Sequence, residues 1–148
     1  MSAHKTMYLA AIAAALAATS IAFSSAASAE VVTFKAELKA ASEVPPNTTT
    51  GAGELTATYD VASKQLSWKG SYSSLSGDPT AAHFHGPAGP GKNADVVIPI
   101  TELKSPFTGT AGLTDAQAAD LDSGLWYVNV HTAANPKGEI RGQVVKVN

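Results

Sequence analysis

Apolar and polar side chains alternate along most of this chain, and the period is two. From Val31 to Leu38, Glu54 to Tyr59 and Gln65 to Tyr72, β-branched and aromatic residues recur at alternate positions, as in strands with one face on a core. Asp60 to Lys64 separates the last two runs and predicts their hairpin turn. Between the first two runs, Ser42-Glu43-Val44-Pro45-Pro46-Asn47 reads as a loop, because successive prolines cannot serve a central ladder. Ser76-Gly77-Asp78-Pro79 marks another break before a strand from Thr80 to His85. The next segment, Gly86-Pro87-Ala88-Gly89-Pro90-Gly91, excludes regular structure and leaves directly from that strand.

Asp95 to Ile100 and Phe107 to Gly112 are shorter strand candidates. The period then changes once. Thr114-Asp115-Ala116-Gln117 has the form of a capping box, and the alanine-rich stretch to Asp122 ends at Gly124, which predicts one short helix. Alternation returns from Leu125 to His131 and from Glu139 to Val147, with Asn135-Pro136-Lys137-Gly138 as the connecting turn. Short strands, frequent turns and a single helix predict an all-β fold, a Greek-key antiparallel β-sandwich or small barrel. Phe84, Trp126, Val128, Val130, Ile140 and Val144 are its candidate core, and Trp68 belongs there as an aromatic in an alternating strand. By the same parity His83, His85, His131 and Arg141 occupy the other face.

The first 29 residues read as a secretory signal: Lys5 in a positive n-region, an apolar stretch from Met7 to Ala18, and Ala27-Ser28-Ala29 as the cleavage site. Thr19, Ser20, Ser24 and Ser25 break the apolar run, so no membrane span is expected after signal removal. The 148-residue chain less its signal is a single domain of 119 residues, 30–148, expected in the periplasm or secreted. Removing Lys5 leaves nine basic against 12 acidic residues, a net charge of −3, which offers no stripe for nucleic acid. Cysteine is absent, and both methionines, Met1 and Met7, leave with the signal. Any metal held by the mature chain must therefore be held by nitrogen and oxygen.

Three histidines remain, in two β-type segments: His83-Phe84-His85 and Val128-Asn129-Val130-His131. A strand turns His83 and His85 to one face with Phe84 opposite, so two imidazoles are aimed together before the fold is complete. With His131 as a third ligand, the trio would leave an open position for water or a small anion. Copper leads by the Irving–Williams order, with zinc as the alternative. A zinc hydrolase would need a general base, and Asp95 and Glu139 qualify only if the fold brings them in. The same histidines also fit an ordinary structural role, hydrogen-bonding loop backbone beneath the Gly-Pro segment.

Ala82-His83-Phe84-His85-Gly86-Pro87-Ala88, Trp126-Tyr127-Val128-Asn129-Val130-His131-Thr132 and Gly138-Glu139-Ile140-Arg141-Gly142-Gln143 together resemble the CHRD domain, the module named after chordin and found in exported bacterial proteins. That resemblance covers nearly all of the mature chain and implies a binding module. A more distant resemblance is to copper/zinc superoxide dismutases, which are Greek-key sandwiches with a His-x-His pair, a later histidine at a strand end and a guiding arginine. It implies copper ligation by His83, His85 and His131, with Arg141 in the catalytic role of attracting superoxide. The counterparts of the bridging histidine, the zinc site and the disulfide are missing, so the implied site is copper-only.

The function expected is thus an exported copper-binding protein, with dismutation of superoxide through Cu(II)/Cu(I) cycling as its enzymatic form. Its rivals are a CHRD module that binds a protein or cell-envelope partner, or its own copy, through loops such as Val44-Pro45-Pro46-Asn47, and copper sequestration without turnover. Arg141 itself divides between an anion role and pairing with a neighbouring carboxylate. Lys92 and Lys137 flank the histidine segments on loops.

Overall fold

A computed structural model describes residues 29–147; the signal expected over 1–29 lies almost wholly outside them. In chain order come β1 (Val31–Lys39), a 3₁₀ turn (Ala40–Ser42), β2 (Ala52–Asp60), β3 (Gln65–Ser73), β4 (Pro79–His85), β5 (Val96–Pro99), β6 (Phe107–Gly112), α1 (Asp115–Asp122), β7 (Trp126–Thr132) and β8 (Ile140–Lys146). The alternation locates every strand to within a few residues. It gives no sign of the 3₁₀ turn, whose Ala-Ala-Ser sequence carries neither period. Thr114 caps α1 as its sequence requires, its hydroxyl accepting from Gln117 N while the Gln117 side chain accepts from the Thr114 N–H.

All eight strands form one antiparallel sheet in the order β5-β4-β7-β8-β1-β2-β3-β6. β1, β2 and β3 are a continuous meander, while β3 to β4 and β5 to β6 cross from one end of the ladder to the other. Those crossovers roll the sheet into a nearly closed barrel. Trp68 on β3 and Phe84 on β4 are far apart along the ladder, yet their rings meet edge to face at 5.1 Å. The six core residues expected from parity are all buried, with Phe84, Trp126, Val128, Ile140 and Val144 at 0 % exposure. Among the described residues, no helix is long and apolar enough to cross a membrane.

The site lies on the outside of this barrel, across β4, β7 and β8. His83 stands opposite Asn129, His85 opposite Tyr127 and Ala81 opposite His131, while Asn129 in turn faces Arg141 on β8. His131 is thus the diagonal neighbour of His83, at a separation that long side chains bridge. A register irregularity between β4 and β5 falls at Phe84 and His85. β7 is covered on both faces: Trp126, Val128 and Val130 enter the core, and loops roof Tyr127 and Asn129 on the outside.

Candidate metal centre

Strand pairing brings the three sequence-predicted histidines together. One ligand nitrogen from each of His83, His85 and His131 lies within 4.8 Å of the other two. Ligands on opposite sides of an ion, with bonds of about 2.0–2.1 Å, would be about 4.1 Å apart, so a small inward rotation of the rings closes the trio on one cation. His83 Nδ1 is 3.2 Å from His131 Nε2, and the His83 ring packs edge-on against both of its partners.

Two of the rings are oriented by main chain. His85 Nδ1–H donates to Ala94 O at 2.9 Å, and His131 Nδ1–H donates to Pro136 O at 3.0 Å. A carbonyl can only accept, so each Nδ1 carries the proton and a neutral ring presents its Nε2 lone pair to the site. This is how metal-binding imidazoles are usually fixed. Burial lowers the pKa of His83, as do the neighbouring His131 and His85 rings. Burial also lowers that of His85 against the opposing pull of Ala94 and Asn129. Both therefore favour the neutral form that a cation needs.

The Gly-Pro loop after β4 roofs this face and is held from below by side chains. Tyr127 Oη accepts from Ala94 N at 3.2 Å, and Gln143 Nε2 donates to Ala88 O and Gly124 O, both at 2.8 Å. Gly86 must be glycine, because a Cβ there would drive into the Trp126 indole ring. Arg141 is 2 % exposed; Nη1 donates to Asn93 Oδ1 at 2.9 Å and Nη2 to Lys92 O at 2.6 Å. Its Cζ lies 3.4 Å over the Tyr127 ring, and His85 stacks parallel to that ring at 4.7 Å from the β4 side. Tyr127 thus stands between the guanidinium and the nearest imidazole. Arg141 forms no carboxylate ion pair among the described residues; Lys92 contributes its carbonyl to that clamp, and Lys137 is exposed.

Neither of the carboxylates considered from sequence joins the histidines. Asp95 is exposed. Glu139 is fully buried, but its oxygens accept from Ser76 N, Ser76 Oγ, Thr132 Oγ1 and Asn135 Nδ2 at 2.6–3.2 Å. Burial raises its pKa, yet those donors outweigh burial and hold it below the ordinary carboxylate range. Asn47 Nδ2 donates to Glu139 O at 2.9 Å, which ties the loop after β1 to the same segment.

Two residues of the site are not evident from the histidine pattern. Asn129, 3 % exposed, places Oδ1 at 3.0 Å from both His85 Nε2 and His131 Nε2. It has the parity of His131 in the same strand, and that was the signal available. Glu43, 5 % exposed, belongs to the loop after β1 and has no periodic signal. Its Oε1 is buried without a hydrogen-bond partner. Burial pushes its pKa up to about 7, against the opposing pull of the Arg141 charge, the Val44 backbone and the Asn129 amide.

The family model described as the CHRD domain matches residues 34–144, and the chain belongs to that family. The match spans the barrel from β1 to β8 and includes the whole histidine face. Comparisons with curated proteins and with solved structures return no match.

Proposed function

We propose that this CHRD protein is exported and binds one copper ion through His83, His85 and His131. The observation that carries the reading is the convergence of three imidazoles, two of them anchored at Nδ1 by backbone carbonyls so that their Nε2 lone pairs face a common point. Copper is favoured by an all-nitrogen histidine set and by the affinity order of divalent ions. Zinc competes for the same donors, but among the described residues no carboxylate joins the histidine cluster to serve hydrolysis as a general base.

The enzymatic form of the proposal is superoxide dismutation. A copper ion held by His83, His85 and His131 would supply one-electron cycling between Cu(II) and Cu(I), which would convert two superoxides and two protons into dioxygen and hydrogen peroxide. Arg141 supplies fixed positive charge near this face, though its donors to Lys92 and Asn93 make it first a clamp on the roofing loop.

Titration of the folded mature protein with Cu(II) and Zn(II) against a competing chelator tests binding. One copper per chain, lost in His85→Ala and His131→Ala, is the expected result; uptake that ignores both substitutions overturns it, and no uptake at all overturns it in favour of a metal-independent partner role. Dismutation no faster than free copper, with binding intact, reduces the proposal to sequestration.

A further inference from the structure

The Asn129 carboxamide meets two imidazoles in a way that hydrogen bonding alone does not explain. With His85 Nδ1–H committed to Ala94 O and His131 Nδ1–H to Pro136 O, each ring in its neutral form turns an Nε2 lone pair toward Asn129. What they meet at 3.0 Å is the amide oxygen, which also carries only lone pairs. His83 Nδ1–H can donate to His131 Nε2 at 3.2 Å, but the facing lone pairs of His85 Nε2 and Asn129 Oδ1 at 3.0 Å cannot satisfy each other. Either protons are added to the rings, or the amide turns over, or a cation sits among them.

The surroundings favour the cation. The amide oxygen of Asn129, not its nitrogen, faces both rings. The spacing also suits coordination: two donors 3.0 Å apart subtend about 95° at an ion with bonds of about 2.0–2.1 Å, and the 3.2 Å between His83 Nδ1 and His131 Nε2 subtends about 100°.

We infer that Asn129 Oδ1 is a fourth ligand, so that the centre is a three-nitrogen, one-oxygen site assembled on β4 and β7. This rests on the three-histidine reading and adds a specificity element to it. An amide oxygen is a hard donor and favours Cu(II) or Zn(II) over Cu(I). Asn129 thereby biases the centre toward the oxidised ion.

The test uses Cu(II) and, in a separate anaerobic titration, Cu(I) with the mature protein, Asn129→Leu and Asn129→Asp, reading affinity by chelator competition and the Cu(II) donor set by electron paramagnetic resonance. Asn129→Leu is expected to weaken Cu(II) at least tenfold, to change Cu(I) affinity less than threefold and to shift the spectrum away from that of the parent. Asn129→Asp, which keeps an oxygen and adds charge, is expected to tighten Cu(II). A folded Asn129→Leu protein with unchanged affinity and spectrum overturns the inference while leaving the histidine site standing. If Asn129→Leu fails to fold, an Asn129→Asp protein with parental affinity and spectrum overturns it equally. A parent protein that takes up no copper removes both readings at once.

Discussion

The Arg141 guanidinium lies 3.4 Å above the ring of Tyr127, and both residues are almost fully buried beneath the loop that follows β4. A desolvated cation–π contact of this kind contributes about 2 kcal/mol, and hydrogen bonds from a charged donor contribute about 1.5–3 kcal/mol each. Arg141→Ala should therefore destabilise the protein by about 3 kcal/mol or more, measured by chemical unfolding. Arg141→Lys should recover little of this, because an ammonium cannot both lie flat on Tyr127 and reach Lys92 O and Asn93 Oδ1. Full stability in Arg141→Ala would contradict the clamp.

Glu43 makes stability fall as the solution becomes more alkaline. Its pKa is about 7 in the fold against an ordinary 4.5, so the folded protein holds this proton more tightly than the unfolded chain. The favourable contribution is complete below about pH 4.5 and is lost as pH rises through about 7. At roughly 1.4 kcal/mol per pKa unit the loss is on the order of 3 kcal/mol. Glu43→Gln should be more stable than the parent at pH 8, with the gap closing toward pH 5. Parallel pH–stability curves for the two proteins would refute this.

Glu139 acts in the opposite direction. Its carboxylate is held below the ordinary 4.5 by Ser76, Thr132 and Asn135 despite burial. Its contribution is present above the unfolded pKa and is lost as pH falls through the lower folded value. Glu139→Gln puts an amide nitrogen among hydroxyl and amide donors, and should cost about 3 kcal/mol at pH 7, read from the shift in denaturation midpoint.

Gly138 is fixed by two independent constraints. Its φ is +127°, and a Cβ would strike the Glu43 carboxyl. Gly138→Ala should be destabilised by more than the same change at Gly77, where a Cβ meets nothing within 4 Å. Equal thermal unfolding of the two variants would be the contrary result.

Copper itself should act as a stabiliser. A ligand that binds only the folded chain, at 100 times its Kd, adds about 2.7 kcal/mol. Differential scanning calorimetry should show a higher unfolding temperature with Cu(II), reversed by EDTA and absent in His131→Ala. No shift at saturating copper would count against the histidine centre.

Much of this architecture is legible in the residues because alternation reports one-sided burial directly. The parity that puts Phe84 inside places His83 and His85 outside, and the same rule extends to His131 and Arg141. Proximity between strands is another matter. That β7 lies beside β4 follows from crossovers that no local pattern encodes, so the diagonal contact of His83 with His131 emerges only in three dimensions. The partners of Arg141 were hidden for a related reason: one of its acceptors is the Lys92 carbonyl, an atom present at every position and announced by none. Glu43 was missed because a loop has no period, and its burial depends on the approach of Gly138.

The acceptors that steer His85 and His131 are the peptide carbonyls of Ala94 and Pro136. Side-chain identity at 94 and 136 is therefore decoupled from ring orientation, provided each loop keeps its path. Such a scaffold lets its outer surface diversify toward new neighbours while the chemistry underneath stays fixed.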